Sequence, residues 1–102
     1  MNKYGSHVKF KTKPGKGSEF AAILLNAARS MNGVKGCQLY LALREVGKED
    51  IIGVTEVWDT KEDHDNSLNM PVAQELIAKA MPMLDGLPEK AVEFEVLGGK
   101  GL

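Results

Sequence analysis

The sequence predicts an α+β fold whose elements follow one another in the order β-α-β-β-α-β. Four segments have the alternating or continuously apolar character of strands, and two have the apolar period of about 3.6 residues that is typical of helices. Segments rich in glycine and proline separate these elements. A chain of 102 residues has the length of one domain, so we expect residues 1–102 to form a single unit.

The first strand is predicted at residues 4–12. Val8 and Phe10 alternate with basic side chains, so one face of the strand is apolar and the other is polar. The basic residues are His7, Lys9 and Lys11.

The first helix follows a Lys-Pro-Gly turn. Ser18 is the expected N-cap, and Asn32-Gly33 is the expected end, because glycine adopts the left-handed conformation that closes a helix. The apolar stripe of this helix consists of Phe20, Ile23, Leu24, Ala27, Ala28 and Met31.

The second and third strands are predicted at residues 37–46 and 51–58, joined by a hairpin turn at residues 47–50. Each is largely apolar on both faces, which indicates that both faces of the sheet are covered. In the second strand we expect Cys37, Leu39, Leu41 and Leu43 on one face, and Tyr40 and Ala42 on the other.

A second helical region begins at Thr60, which we expect to cap the helix together with Asp63 three residues later. Pro71 fits a first helical turn but disfavours helical geometry at the residue before it, so an interruption is predicted near Asn69-Met70. An apolar stripe then continues through Ala73, Leu76, Ile77, Ala80 and Leu84. The alternation of residues 89–97 predicts the fourth strand.

This order of elements suggests a ferredoxin-like fold, in which a four-stranded antiparallel sheet carries two helices on one face. Two helices cover only one face, yet the second and third strands are apolar on both. A second copy of the chain is the simplest cover, because most soluble oligomers are symmetric homodimers. We therefore predict a homodimer whose sheets pack face to face.

Composition and charge exclude some partners. The chain has 13 basic and 14 acidic residues and a formal charge of −1, so it lacks the basic excess that nucleic-acid binding requires. The longest apolar run, residues 20–25, is far short of the roughly 20 residues that span a membrane. Cys37 is the single cysteine, and the first six residues lack the apolar core of a signal peptide, so we expect a cytoplasmic protein.

The densest polar cluster, residues 56–67, begins where the third strand ends. Glu56 and Trp58 share a face of that strand with Ile52 and Val54, so a carboxylate lies on an apolar face. A buried carboxylate must be paired or have a raised pKa. Glu56 is either a strand-end residue hydrogen-bonded to a neighbouring strand or turn, or a site residue. Trp58 is either core or the flat wall of an aromatic pocket.

His64 also has two interpretations, as a solvated helix residue or as a proton acceptor that ionises near neutral pH. Cys37 is interpreted as a small buried apolar side chain rather than a nucleophile. His7, His64 and Glu56 together would make a two-histidine, one-carboxylate metal site. Nothing in their spacing requires it, and no metal site is predicted.

The segment TEVWDTKEDHDNSL, residues 55–68, closely resembles the strand-to-helix motif of the antibiotic biosynthesis monooxygenase family, in its quinol monooxygenase branch. The resemblance to this branch extends to residues 13–15, residues 36–40 and the closing GGKGL segment, so it covers nearly the whole chain. Lys100 stands where that branch leads us to expect histidine.

The resemblance implies a dimeric α+β barrel with a pocket between sheet and helices in each subunit. It implies oxidation of a small quinol or polyphenolic aromatic by O₂ with no metal, flavin or other cofactor, because the substrate supplies the electrons. His64 matches the histidine of the branch and is the expected proton acceptor. Trp58 matches the tryptophan at the pocket wall, and Glu56 is expected to orient His64 or a substrate hydroxyl. Asn66 and Ser67 are expected to hydrogen-bond the substrate.

The same barrel carries several functions, so the fold does not fix the function. Haem-degrading relatives use a more distant helix histidine, and His64 lies too early in its helix to be that ligand. Two alternatives stay open. One is a non-catalytic dimeric domain that binds ligands or responds to stress, and the other is an isomerase of a small hydroxy-ketone with His64 and Glu56 as acid and base.

Overall fold

The computed structural model describes residues 2–102 and confirms the ferredoxin-like α+β fold. Its four strands form one antiparallel sheet in the order β2-β3-β1-β4. The elements are β1 Lys3–Lys11, α1 Gly17–Ser30, β2 Cys37–Arg44, β3 Ile51–Trp58, α2 Lys61–Ser67, α3 Pro71–Ala80 and β4 Val92–Val96, with a short 3-10 turn at Met81–Met83. The strands predicted to end at Val46 and Leu97 are shorter than expected.

The core lies between the sheet and the helices. In the β1–β3 register Val8 pairs with Val54 and Phe10 with Ile52, so the apolar face predicted for the first strand meets the apolar face of the third. Side chains from the helices and from the turn after α3 complete this core; they are Phe20, Leu24, Ala80 and Leu84. Burial of these apolar surfaces is the main force that fixes the helices on this face.

The predicted interruption of the second helical region is confirmed. α2 ends at Ser67, and Met70 is extended with φ −67° and ψ 138° directly before Pro71. The proline ring excludes helical geometry from the preceding residue, so α3 starts as a new helix. The Thr60 cap is also confirmed, since its side chain accepts a hydrogen bond from the Asp63 amide at 3.0 Å.

The predicted N-cap at Ser18 is wrong. The N-cap is Lys16, two residues earlier, so α1 begins at Gly17. The amides of Gly15 and Gly17 donate to the Asp50 carboxylate at 3.3 and 3.1 Å. Ser18 instead accepts a hydrogen bond from Arg44. The carboxylate from the β2–β3 turn thus occupies the place that a local cap would take.

The predicted face of Cys37 is also wrong. Leu39 pairs with Val57, but Cys37 pairs with Trp58, because the β2–β3 register shifts between Cys37 and Leu39. A bulge of this kind moves the residues beyond it to the opposite face of the strand. Cys37 therefore shares the helix-covered face with Trp58, while Leu39 lies on the other.

Nothing within residues 2–102 covers the face of the sheet away from the helices. Its half-exposed apolar side chains come from both outer strands and are Leu41 (44%), Leu43 (44%), Val92 (54%) and Phe94 (52%). Within residues 2–102, no helix is long and apolar enough to cross a membrane.

Candidate active site

A cavity of about 300 Å³ lies between the sheet and the helices. Its lining is mainly apolar and comes from β1, α1 and α3, with a few polar groups. Those groups are Tyr4, Ser6, Ser30, Tyr40, Glu56, His64 and Ser67. Leu68, Ile77 and Met81 line the cavity and are 39–47% exposed, so they mark its opening to solvent. The volume falls at the lower end of the range of about 300–1,000 Å³ that is common for small-molecule sites.

Trp58 and Glu56 are joined at the floor of the site. The period of two along β3 puts both on the helix-covered face, and the Trp58 Nε1–H donates to Glu56 Oε1 at 3.0 Å. Trp58 is fully buried, with 0% exposure, and does not belong to the cavity lining. It therefore positions the Glu56 carboxyl group rather than forming the wall itself.

His64 lies above Glu56 because the Thr60 cap starts α2 directly after β3. The imidazole packs edge-on to Trp58 at a centroid distance of 5.9 Å and lies 5.4 Å from the Tyr4 ring. Its Nε2 is 3.9 Å from Glu56 Oε2, and its side chain is 15% exposed. The structure thus brings together Glu56, Trp58 and His64, three residues that the sequence singled out.

The contact between His64 and Asp65 indicates which ring nitrogen carries the hydrogen when the imidazole is neutral. His64 Nδ1 lies 2.9 Å from Asp65 Oδ1, and this bond, together with Lys61, lowers the pKa of Asp65. An ionised carboxylate only accepts, so Nδ1 carries the hydrogen and the neutral imidazole presents the Nε2 lone pair to Glu56.

Burial raises the pKa of the Glu56 carboxyl group above its ordinary value. The Trp58 hydrogen bond and the charge of a protonated His64 act in the opposite direction, because both favour the carboxylate. Burial is the larger effect. A carboxyl group whose pKa is raised by burial and that lies beside an imidazole is suited to acid–base chemistry.

Tyr4 and Tyr40 also line the site, and neither was selected from the sequence. The Tyr4 hydroxyl donates to Glu93 at 2.9 Å, and burial followed by this hydrogen bond raises the pKa of Tyr4 to about 12. Burial also raises the pKa of Tyr40. Both phenols therefore stay protonated at neutral pH. Strand alternation marks such residues only as inward-facing, and no sequence pattern indicates that they reach a cavity.

Ser67 and Asn66, the two residues expected to bind substrate, lie in different places. Ser67 is buried, lines the cavity, and donates from Oγ to the His64 carbonyl at 2.6 Å. Asn66 is exposed and does not line this cavity; it lines a second depression beside Val34 and Met70, which Ser67 also borders. Adjacent residues on a helix point about 100° apart, which separates the two side chains.

His7 lies on the opposite face of the sheet from Glu56 and His64. Its Nδ1 is 2.7 Å from Thr55 Oγ1, and its ring lies against Gly53, where a Cβ atom would be only 2.9 Å from it. The two histidines therefore cannot share a metal ion with Glu56 within one chain. Within residues 2–102, no group of three or more histidine, cysteine or acidic side chains is arranged to hold a metal ion.

The fold and the cavity define a small α+β protein with a carboxyl group and an imidazole side by side in a mainly apolar pocket. A sequence profile of the family described as antibiotic biosynthesis monooxygenase matches residues 4–79, and the chain belongs to this family. No curated protein matches the sequence.

Solved structures agree with this assignment. A presumed antibiotic biosynthesis monooxygenase from Chloroflexus aurantiacus is 32% identical, with a TM-score of 0.86 and 97% of each chain covered. Two further presumed members share the fold. One, from Nitrosomonas europaea, is 14% identical with a TM-score of 0.88 and covers 94% of this chain and 91% of its own. The other, from Caulobacter crescentus, is 19% identical with a TM-score of 0.85 and covers 95% of this chain and 92% of its own.

Proposed function

We propose that the protein is a cofactor-independent monooxygenase that oxidises a small quinol or polyphenol with O₂. Family membership supports the reaction class. The observation that carries the proposal is the pair formed by His64 and Glu56, whose side chains lie 3.9 Å apart in a mainly apolar cavity. Such a cavity accepts an aromatic ring, and the pair accepts the proton of a ring hydroxyl.

In this proposal His64 is the general base. Its Nε2 takes the proton of the phenolic hydroxyl, while Asp65 holds Nδ1–H and stabilises the imidazolium that forms. The electron pair of the broken O–H bond stays on the substrate, which becomes electron-rich enough to reduce O₂. A benzenediol and O₂ then give a hydroxyquinone and water, so the substrate supplies all of the electrons.

Glu56 and Trp58 support this step. The indole N–H fixes the carboxyl group on one oxygen, and the other oxygen faces His64. An ionised Glu56 stabilises the protonated imidazole, and a neutral Glu56 donates a hydrogen bond to a substrate oxygen. Water exclusion by the apolar walls strengthens both interactions.

Oxygen uptake tests the proposal. Metal-stripped protein is mixed with a panel of reduced quinols and anthrones, and uptake is compared with a no-enzyme autoxidation control. We expect uptake above autoxidation, and a decrease of about 10²-fold or more in H64A because a general base contributes at least that much.

His7→Ala is the matched control, since it removes the other imidazole from the opposite face of the sheet; it should keep wild-type rates. Equal rates in H64A and wild type would remove His64 from the mechanism. Uptake that never exceeds autoxidation across the panel would count against an oxygenase and favour a domain that only binds its ligand.

The same carboxyl–imidazole pair supports a second candidate, an isomerase of a small hydroxy-ketone. There Glu56 and His64 would move a proton between neighbouring carbons without consuming O₂. Exchange of substrate hydrogen for solvent deuterium without oxygen uptake would identify this activity.

We further propose that two copies of the chain pack sheet against sheet. The uncovered sheet face carries half-exposed apolar side chains on both outer strands, among them Leu41 and Phe94. An apolar surface of this kind is typical of a permanent interface, and a two-fold axis lets one patch serve both partners.

A cytoplasmic location fits the same proposal. Cys37 is the single cysteine in the sequence, so no internal disulfide requires an oxidising compartment.

A further inference from the structure

One of the three serines that line the cavity has an unused hydroxyl group. Ser30 Oγ donates to the Asn26 carbonyl at 3.0 Å, and Ser67 Oγ donates to the His64 carbonyl at 2.6 Å. Ser6 is 2% exposed, and its Oγ has no hydrogen-bond partner among residues 2–102. Buried hydroxyl groups are nearly always bonded, so an unpaired one on a cavity wall indicates a partner supplied by a ligand.

The strand register places this hydroxyl beside the acid–base pair. Ser6 of β1 is paired with Glu56 of β3, and Glu56 is paired on its other side with Tyr40 of β2. Side chains directly opposite each other in an antiparallel sheet have Cβ atoms about 4.5–5.5 Å apart. Ser6, Glu56 and Tyr40 therefore form a polar row across the floor, and His64 lies above its centre.

We propose that Ser6 is a hydrogen-bond donor for the phenolic oxygen of the ligand and stabilises the phenolate after His64 has removed its proton. This inference rests on the proposed function, since it names how the same site holds the ionised substrate. The ligand O–H bond breaks, the proton moves to His64 Nε2, and the electron pair stays on the ligand oxygen. The Ser6 hydroxyl then donates to that oxygen.

Donor and acceptor chemistry favours Ser6 as a hydrogen-bond donor to the phenolate. Once His64 has taken the proton, its Nε2–H gives the phenolate one hydrogen bond, and an ionised Glu56 accepts but cannot donate a second one. A serine hydroxyl donates one hydrogen bond, and a bond to a charged oxygen is roughly twice as strong as one to a neutral oxygen. Ser6 therefore acts more strongly on the ionised ligand than on the neutral one and lowers the pKa of a bound phenol.

The test uses 4-nitrophenol, whose phenolate absorbs visible light, with the full-length protein and no oxidisable substrate. The probe is titrated with acid and base at saturating protein. In Ser6→Ala we expect the pKa of the bound probe to rise by about one unit, a tenfold loss of ionisation. Nitrobenzene, which lacks the hydroxyl, should bind Ser6→Ala and wild type equally in calorimetric titrations.

Three variants complete the design. Ser30→Ala deletes a cavity hydroxyl that already donates to the Asn26 carbonyl, and it should leave the pKa of bound 4-nitrophenol unchanged. Ser6→Cys keeps a weak donor and should give an intermediate shift. Tyr40→Phe removes the phenolic hydroxyl of the row and should have a smaller effect than Ser6→Ala.

The proposal is overturned if Ser6→Ala and Ser6→Cys leave the pKa of bound 4-nitrophenol unchanged. It is also overturned if Ser30→Ala shifts this pKa as much as Ser6→Ala does, or if only Tyr40→Phe shifts it. Failure of wild type to bind the phenol would also overturn it. The probe reports ionisation and not oxygen chemistry, so an inactive oxygenase with a normal Ser6 effect would contradict the proposed reaction alone.

Discussion

At the scale of single residues, the chemistry of the site depends on polar groups placed on apolar walls. Glu56 is 14% exposed at its side chain and has one hydrogen bond, from Trp58. Burial therefore controls its protonation, and the indole sets its orientation. Burial and the Trp58 hydrogen bond both change the free-energy difference between the charged and neutral forms of Glu56. This difference sets the pKa on which acid–base chemistry depends.

Glu56→Gln should stabilise the protein more at pH 8 than at pH 4. The folded-state pKa of Glu56 is raised above its unfolded value, so the stability that the neutral carboxyl group contributes is fully present below the unfolded pKa. It is lost as pH rises through the folded pKa. Glutamine does not titrate, and its carbonyl oxygen still accepts from Trp58.

Thermal unfolding of wild type and Glu56→Gln across this pH range measures the effect. Glu89→Gln, at an exposed position between α3 and β4, is the control and should show no such trend. A Tm difference that stays constant from pH 4 to pH 8 would contradict the burial argument.

Sequence reasoning at this scale selected residues with unusual chemistry and missed those with ordinary chemistry. Glu56 is indicated as a site residue because a carboxylate interrupts an apolar strand face, and His64 because it lies in a polar cluster. No pattern indicates Ser6, because a small polar residue in an alternating strand is common. Its significance depends on Glu56 lying opposite, a pairing between residues that are far apart in the chain.

At the scale of elements, the sequence predicted a helix boundary correctly where the interacting residues lie within one helical turn of each other. Thr60 and Asp63 are three residues apart, and their capping bond formed as predicted. Pro71 acts on its immediate neighbour, so the break between α2 and α3 also followed from the sequence. The start of α1 did not, because its capping carboxylate comes from Asp50 across the fold.

Asp50→Ala should lower the free energy of unfolding by about 1–2 kcal/mol, the usual cost of losing a helix cap. The substitution leaves the Gly15 and Gly17 amides without their acceptor. Urea denaturation measures the change, and Asp50→Asn should lose less because one oxygen acceptor remains.

Glu49→Ala removes a neighbouring exposed carboxylate from the same turn and should be close to neutral. If Asp50→Ala matched it, the carboxylate would not be acting as the cap of α1.

At the scale of the whole molecule, the sheet separates two environments. The helices cover one face and enclose the cavity, while the other face leaves Leu41, Leu43, Val92 and Phe94 about half exposed. The bulge in β2 strengthens this division, because it returns Cys37 to the covered face and leaves the leucines on the open one.

Phe94→Lys should convert the proposed dimer into a monomer. Phe94 is 52% exposed, so the folded chain tolerates a lysine there, but a charge inside a face-to-face interface would have to lose its water. Sedimentation equilibrium should give twice the protomer mass of 11.1 kDa for wild type and the protomer mass for the variant.

Leu87→Lys is the matched control. It replaces a leucine that is 94% exposed in the loop before β4, and it should sediment like wild type. A wild-type mass of 11.1 kDa, or a Phe94→Lys variant that keeps the wild-type mass, would show that this face is not the interface.

The sequence by itself determined the order of the elements, the break before Pro71, the two-faced character of the central strands and the candidates Glu56, Trp58 and His64. These features depend on local periodicity and on chemistry carried by neighbouring residues. Only the tertiary structure decided that Asp50 caps α1, that Cys37 changes face, that Trp58 lies behind the cavity, and that Ser6 has an unused hydroxyl beside Glu56. Each of these depends on pairing between distant segments, which is fixed by packing of the whole chain and not by the residues on either side.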